Sequence, residues 1–204
     1  MAGYDRNVFI NCPFDDAYRT EIFRALVFAV HDCGFQTRCA LETTNAAESR
    51  ISKIERIIEE CQYGIHDLSR TELDPDSNLP RFNMPLELGL FLGAKRFGSV
   101  KQKRKSALVL DIERYRYHKF ISDIAGQDIS AHNGKTEQAI RRVRDWLKPN
   151  NPEVSIPGGQ KMARRFESFS AVFPTMCAVA GYDDDPPFHD YVYIVCEWLK
   201  KNPT

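Results

Sequence analysis

Hydrophobic positions near the start of the chain follow first the pattern of a buried strand and then that of an amphipathic helix. Residues 7 to 14, NVFINCPF, combine β-branched and aromatic residues and reach a proline, which predicts a buried strand that ends in a loop. The next stretch, which Asp15 or Asp16 can cap, repeats apolar residues at helical spacing and stops at Gly34. The positions that define this helix are Tyr18, Ile22, Ala25, Leu26, Ala29 and Cys33.

The same unit of strand and helix recurs further along the chain. The pattern predicts strands over 35–42, 63–69 and 105–112, helices over 51–61 and 83–98, a short helix over 119–126, a short edge strand over 127–132 and a helix that ends near Lys148. Alternation of this kind predicts an α/β fold in which helices cover both faces of a parallel sheet of about five strands.

A segment rich in proline and glycine, PNNPEVSIPGG (149–159), follows the predicted sheet. We therefore divide the chain into an α/β domain over 1–148 and a C-terminal helical extension over 149–204. The extension has two apolar stripes at helical spacing, one over 162–176 and one over 191–199, and Pro174 is expected to bend or end the first helix. We interpret the pair as a cap or an oligomerisation arm.

Composition limits the partners of the protein. Lys plus Arg equals Asp plus Glu at 28 each, so no overall charge attracts the chain to nucleic acid or to an anionic membrane. No apolar stretch approaches the roughly 20 residues that cross a bilayer, and the N-terminus lacks a signal-peptide pattern, so we expect a cytoplasmic protein. The six cysteines include no C-x-x-C pair, which favours reduced, buried thiols over a structural metal site.

One acidic residue stands out in the predicted helix NMPLELGLFLGAKRFG, residues 83 to 98. Glu87 has no basic residue three or four positions later, so a local salt bridge does not explain it. Pro85 fits a first helical turn, and a cap at Asn83 or Met84 would place Glu87 in that turn, where the helix dipole favours an anion. Gly89 and Gly93 are expected to allow close packing of this helix against the sheet.

Ligands of such sheets bind outside the carboxyl ends of the strands, where helix N-termini also gather. Glu87 belongs to that rim, as do residues that follow strands one, two and three: Asn11, Cys12, Pro13, Phe14, Glu42, Asp67, Ser69 and Arg70. Asn83 and Phe91 lie one turn before and one turn after Glu87 and are further candidate contacts. A carboxylate beside a phenyl ring suits reactions that build positive charge on a sugar, which points to cleavage of a C–N glycosidic bond.

Two other candidate signals are weaker. Cys12, His66 and Asp67 would provide a thiol, a base and an acid, but neighbouring strand residues point to opposite faces, so a core histidine is the favoured interpretation of His66. The chain has neither G-x-G-x-x-G after its first strand nor a P-loop sequence. A redox dinucleotide cofactor and P-loop chemistry are therefore disfavoured.

The stretch NMPLELGLFLGAKRFG resembles the N-x-x-F-E-L-G-x-F-x-G-x-L-G segment of bacterial TIR-like (Toll/interleukin-1 receptor-like) nucleotide-binding proteins, with Leu86 in place of the usual phenylalanine. Its E-L-G core is also similar to the nucleophile segment of nucleoside 2-deoxyribosyltransferases, whose flavodoxin-like fold is related. Both resemblances fall on Glu87.

The TIR-like resemblance implies an NAD glycohydrolase of antiphage defence that releases nicotinamide and gives ADP-ribose or a cyclic product. It implies Glu87 as the catalytic carboxylate, Phe14 and its loop neighbours as the wall for the base, and Asp67 or Ser69 as hydroxyl and phosphate contacts. It also implies a homo-oligomer, since sites in this family are often completed by a neighbouring subunit. Two alternatives stay open: a nucleoside or nucleotide N-glycosidase or deoxyribosyltransferase, and a non-catalytic module that binds a nucleotide signal.

Overall fold

The structure is a computed structural model that describes residues 3–15, 18–71, 78–79 and 82–204. Its sheet is fully parallel, with the strand order β2-β1-β3-β4-β5. The strands are β1 (Asn7–Asn11), β2 (Gln36–Arg38), β3 (Tyr63–Asp67), β4 (Ser106–Asp111) and β5 (Ile129–Ala131). The helices are α1 (Arg24–Asp32), α2 (Arg50–Glu59), α3 (Asn83–Phe97), α4 (Thr136–Leu147), α5 (Gly159–Ala180) and α6 (Phe188–Lys201). This order is that of flavodoxin-like folds, so the predicted α/β class with helices on both faces is confirmed.

Side chains of β1 point alternately to the two faces of the sheet, and each face is covered by a separate apolar cluster. Val8 and Ile10 join the core cluster that includes α1 and α4, whereas Phe9 packs with the isoleucines of α2 on the other face. Because successive strand residues point to opposite faces, a fully buried parallel strand is apolar at consecutive positions. All three residues are completely buried.

Helix α1 is enclosed on all sides. Every residue from Ala25 to Val30 is fully buried, which is the pattern of a helix without a solvent-facing stripe. The sheet covers one side of α1, and α5 and α6 cover the other. Phe28, for example, contacts both the Phe169 ring of α5 and the Trp198 ring of α6. The C-terminal helices therefore form a third layer that shares one core with the sheet.

Helix α5 continues through Pro174, so of the two expected effects, a bend or an end of the helix, the end does not occur. Pro174 is exposed while Phe173 and Cys177 on either side of it are buried. The carbonyl that loses its helical partner therefore faces water, and buried neighbours hold the helix together across the break.

The buried residues of α3 lie on a single face, and Leu90, Ala94 and Leu92 are partly buried at the edges of that face. The buried residues are Met84, Glu87, Leu88 and Phe91, which follow the i, i+3, i+4, i+7 pattern of a single face. The expectation that Gly89 and Gly93 pack closely against the sheet is wrong, since no described atom outside the local helix backbone lies within 4 Å of the position that a Cβ would take.

Smaller differences concern the ends and connections of elements. Residues 116–126 form two 3₁₀ turns, Arg116–Lys119 and Ser122–Ile124, where one short helix was expected. The candidate cap Asp16 and much of the acidic loop before α3 lie outside the described residues. None of the described helices is long and apolar enough to span a bilayer.

Candidate functional site

The strand order reverses between β1 and β3, and polar side chains gather where these two strands end. A crevice at such a reversal is the usual ligand site of an open parallel sheet. In β3, His66 faces the rings of Phe9 and Phe91, while Asp67 contacts Tyr18 on the opposite face. The polar residues therefore form one group around His66 and another around Asp67, on opposite faces of the sheet. Glu87 lies on α3, on the same face as His66.

Glu87 lies one residue deeper in α3 than the first turn predicted for it. The helix begins at Asn83, and Phe82 is its N-cap, so the expected cap by Asn83 or Met84 is wrong, and no described side chain caps the helix. Pro85 does fall in the first turn, as expected, because its missing N–H has no intrahelical partner there. Glu87 follows in the second turn, where the helix dipole is weaker.

Glu87 is 6% exposed, and its carboxyl group has no hydrogen bond or ion pair to any described residue. Burial raises the pKa of Glu87 to about 7, and the positive charge of Arg50 at the start of α2 only partly opposes that rise. The helix dipole therefore does not keep this group ionised, contrary to the expectation from sequence. A carboxyl group with a pKa near neutrality can either donate or accept a proton at physiological pH.

The rim around Cys12 is acidic. Burial raises the pKa of the Cys12 thiol well above its usual value, and the negative charges of Asp67, Glu87 and Asp15 raise it further. The thiol is 3% exposed, so it is a buried neutral group and not a nucleophile.

Asn11 connects the end of β1 to the start of α3. Its Nδ2 donates to the carbonyl of Met84 at 2.9 Å and to Nδ1 of His66 at 3.1 Å. Nδ1 of His66 must therefore accept, which places the ring proton on Nε2. Burial, together with the charge of Lys105, lowers the pKa of His66 to about 3, so the ring is a neutral core group.

A second buried cluster surrounds Asp67. Tyr18 donates its hydroxyl to Oδ2 of Asp67 at 2.5 Å, the N–H of Ser69 donates to Oδ1 at 2.8 Å, and Nε2 of His132 lies 3.1 Å from Oδ2. Burial alone would raise the pKa of Asp67, but the hydrogen bonds from His132, Ser69 and Tyr18 outweigh it and hold the pKa below its usual range. Asp67 is thus an ionised carboxylate whose partners are all supplied by the protein.

The Asp67 cluster contains a serine, a histidine and an aspartate, but it is not a catalytic triad. The N–H of Gly134 donates to Nδ1 of His132, so Ser69 and Asp67 both meet the other nitrogen, Nε2. In a triad the acid and the nucleophile lie at opposite nitrogens. A cavity of about 250 Å³ lies beside Ser69 and His132. Tyr18, Ser69 and His132 of this cluster form part of the cavity wall.

Glu42 is occupied by neighbours within the protein. Arg38 donates to both of its carboxylate oxygens, at 2.6 and 2.7 Å, and also pairs with Glu60 at 2.8 Å. The predicted role of Glu42 as a substrate contact therefore requires this bidentate pair to open. The pair lies in a groove of about 860 Å³ beside the edge strand β2.

The remaining candidate contacts differ in their access to a ligand. Phe14 is half-buried and meets the Phe23 ring edge-on at 5.2 Å, so part of its surface is available, while Pro13 is buried beside it. Asn83 is exposed at the start of α3. Phe91 is completely buried between the His66 ring and the ammonium group of Lys105, so the prediction that it contacts substrate does not fit this arrangement.

Sequence reasoning missed Arg50, Tyr18 and His132. Arg50 reaches the region of Glu87 from a different helix, and only the fold brings the two together. His132 follows β5 directly, so its place at the carboxyl edge of the sheet was a usable signal. Tyr18 lies just before the π-helical turn Arg19–Phe23 that leads into α1, and its apolar spacing alone marks it as core.

Comparison of the chain with protein-family models, with curated proteins and with solved structures finds no match.

Proposed function

We propose that this protein cleaves an N-glycosidic bond of a nucleotide, with NAD as the favoured substrate and Glu87 as the reacting carboxyl group. The observation that carries the proposal is the buried Glu87 carboxyl group, which has a raised pKa and no described hydrogen-bond partner at the rim of the sheet. An uncompensated buried carboxyl group costs stability, and such groups concentrate at functional sites.

The charge of the site favours a cationic substrate. Asp67, Glu87 and Asp15 act on Cys12 as negative charges, of which Asp15 also pairs with Arg70 at 3.7 Å. Among the described residues, Arg50 is the only positive charge that acts appreciably on Glu87. The pyridinium ring of NAD would bring a compensating positive charge, which favours the ionised form of Glu87. A neutral nucleoside would bring none.

The proposed reaction needs the ionised carboxylate. The bond between C1′ of ribose and N1 of nicotinamide breaks, and its electron pair stays on N1, so nicotinamide leaves as a neutral molecule. The sugar becomes an oxocarbenium ion, which Glu87 stabilises by its negative charge or traps covalently. Water then adds to C1′ and loses one proton, which gives ADP-ribose.

A second reaction is favoured by the same raised pKa. The base of a neutral nucleoside is a poor leaving group unless it is protonated, and Glu87 with a pKa of about 7 holds a proton on a large fraction of molecules at neutral pH. In that case Glu87 would act as a general acid on a nucleoside or deoxynucleoside.

The pH dependence of turnover separates the two reactions. Wild-type protein, Glu87→Gln and the control Glu167→Gln, which changes an exposed glutamate of α5, are incubated with NAD and with a panel of nucleosides between pH 5.5 and 9. Nicotinamide release that rises through pH 7, is lost in Glu87→Gln and persists in Glu167→Gln supports NAD cleavage. Base release from a nucleoside that falls above pH 7 selects the second reaction.

Two other outcomes contradict both reactions. Turnover retained in Glu87→Gln would exclude Glu87 as the reacting group. A tight nucleotide complex without turnover, at every protein concentration tried, would instead identify a module that binds a nucleotide signal. Protein concentration is varied because a site completed by a second subunit would be inactive when dilute.

A further inference from the structure

The outward side of α3 carries an apolar stripe that no described part of the chain covers. The exposed fractions are 57% for Phe82, 55% for Leu86 and 86% for Phe97. Val100, three residues beyond the helix, is 81% exposed and extends the stripe. The outward face of a surface helix is normally polar, so a row of large exposed apolar residues marks a contact surface.

Glycines occupy the middle of this stripe. Gly89 and Gly93 are one turn apart, and open space surrounds the position where each would carry a Cβ. Glycine within a helix costs roughly 0.5–1 kcal/mol relative to alanine, and here no packing against the described residues requires it. Small residues on an outward helix face allow the backbone of another helix to approach closely.

The stripe is close to symmetric about residue 91. Gly89 and Gly93 lie two residues to either side of this point, and Phe82 and Val100 lie nine residues to either side. Leu86 and Phe97 lie five and six residues from it. Two copies of α3 that cross in antiparallel orientation at the glycines would therefore place each stripe residue against its counterpart in the other copy.

We infer that the outward face of α3 is the surface through which two copies of this chain form an antiparallel, two-fold symmetric dimer. A two-fold interface requires one surface to complement itself, and the symmetry of the stripe meets this requirement. Arg96 lies three residues after Gly93 on the same side of α3, and its long side chain can turn away while its stem lies along the contact.

The exposed area is sufficient for a weak dimer. The four large residues expose roughly 500 Å² per chain, given about 150–250 Å² for a whole aromatic side chain. Two copies would thus bury about 1,000 Å², which is the lower limit for a specific interface. The dimer is accordingly expected to form in a concentration-dependent manner. Glu87 lies on the buried side of the same helix, so this interface does not depend on the proposed chemistry.

Sedimentation velocity over a range of protein concentrations tests the interface. Gly93→Gln and Phe97→Gln place polar bulk in the stripe, and both positions are open enough to accept it without refolding. Val179→Gln is the matched control, because Val179 is 85% exposed on α5. Wild type and Val179→Gln should shift from monomer to dimer with rising concentration, whereas both stripe variants should remain monomeric. A wild-type monomer at all concentrations, or a dimer that survives both variants, would overturn the inference.

Cross-linking tests the antiparallel orientation. Chains with Gly89→Cys are mixed with chains with Gly93→Cys and oxidised under native conditions. The antiparallel dimer predicts a disulfide between the two kinds of chain, and either kind alone should cross-link far less. Efficient cross-linking of Gly89→Cys with itself would instead show parallel helices and would overturn the inference.

Discussion

Asn11 donates its side-chain amide to the backbone carbonyl of Met84 at 2.9 Å, so the last residue of β1 fixes the first turn of the helix that carries Glu87. The same amide group supplies the only hydrogen bond that the described residues give to the His66 ring, since Nε2 has no partner. The strand thus positions the helix through one side chain.

Replacement of Asn11 by leucine should destabilise the protein. Leucine has a similar size but no donor, so the Nδ1 atom of His66 would be buried without a partner, at a cost of roughly 1–3 kcal/mol. Urea unfolding of Asn11→Leu beside Asn83→Leu measures this, because Asn83 is exposed. Equal midpoints for the two variants would contradict the role given to Asn11.

The contribution of Glu87 to the stability of the protein should become less favourable as the pH rises from about 4.5 to about 7, whereas the lowered pKa of His66 acts in the opposite direction in both wild type and Glu87 variants. The pKa of Glu87 is raised from 4.5 to about 7 on folding, so the native state binds more protons than the unfolded state in this interval. Well above pH 7, where Glu87 is ionised in both states, its raised pKa lowers the free energy of unfolding by about 3 kcal/mol. The difference in unfolding free energy between Glu87→Gln and wild type should therefore grow in favour of the variant between pH 5 and pH 8.

Urea unfolding of both proteins at several pH values provides this comparison, with Glu167→Gln as the control for loss of an exposed acid. A constant difference across the pH range would show that Glu87 titrates normally. This measurement needs no substrate, so it tests the electrostatics of the site separately from the proposed reaction.

Arg50→Gln should move the pH dependence of Glu87 to higher values. Arg50 is the positive charge that opposes the raised pKa of Glu87, so its removal should raise that pKa further. The pH midpoint of any Glu87-dependent turnover, or of the stability difference described above, reports the shift. Lys161→Gln, which removes an exposed charge at the start of α5, should leave that midpoint unchanged.

Tyr18→Phe should lower stability by roughly 1.5–3 kcal/mol, because it removes a hydrogen bond to the buried, ionised Asp67. The remaining partners, His132 and Ser69, would keep the carboxylate in place. Thermal or urea unfolding measures the loss, with the exposed Tyr193 changed to phenylalanine as the matched control. A loss no larger than in Tyr193→Phe would show that the hydroxyl contributes nothing.

Gly64→Ala should also destabilise the protein, by about 1–3 kcal/mol for an overpacked core. A Cβ at this position would lie 2.7 Å from Nε2 of His66 and 2.8 Å from the Phe91 ring. Gly89→Ala is the control, since its added methyl group meets open space and replaces glycine within a helix. Gly64→Ala should therefore lower the free energy of unfolding, whereas Gly89→Ala should raise it. Equal changes in the two variants would contradict the close packing at Gly64.

The sequence was sufficient to predict the elements whose hydrophobic period is unambiguous. NVFIN and YGIHD form central strands because they are apolar on both faces, and the QDISAH segment contains the edge strand β5. The position of Glu87 near the start of α3 at the rim also follows from the pattern of the chain. Such features depend on local residue order.

Features that depend on contacts between residues far apart in the sequence could not be predicted in this way. The outward direction of Gly89 and Gly93 depends on which side of α3 meets the sheet, and an almost uniformly apolar helix does not reveal that side. The raised pKa of Glu87 reflects burial and its distance from Arg50, neither of which the order of residues contains. Pro174 is tolerated because its own position faces solvent.

The enclosure of α1 also affects how the chain reaches its native state. Asp32 at the end of α1 pairs with Arg165 of α5 at 3.0 Å, and Arg24 at its start pairs with Asp185 at 3.1 Å, so the contacts span more than 130 residues. During synthesis, this apolar helix emerges long before the helices that cover it. Contacts of such large sequence separation slow folding, and the exposed helix is prone to aggregate in the interval. The apolar surface of α1 therefore stays uncovered until α5 and α6, in the last quarter of the chain, have been synthesised and have packed against it.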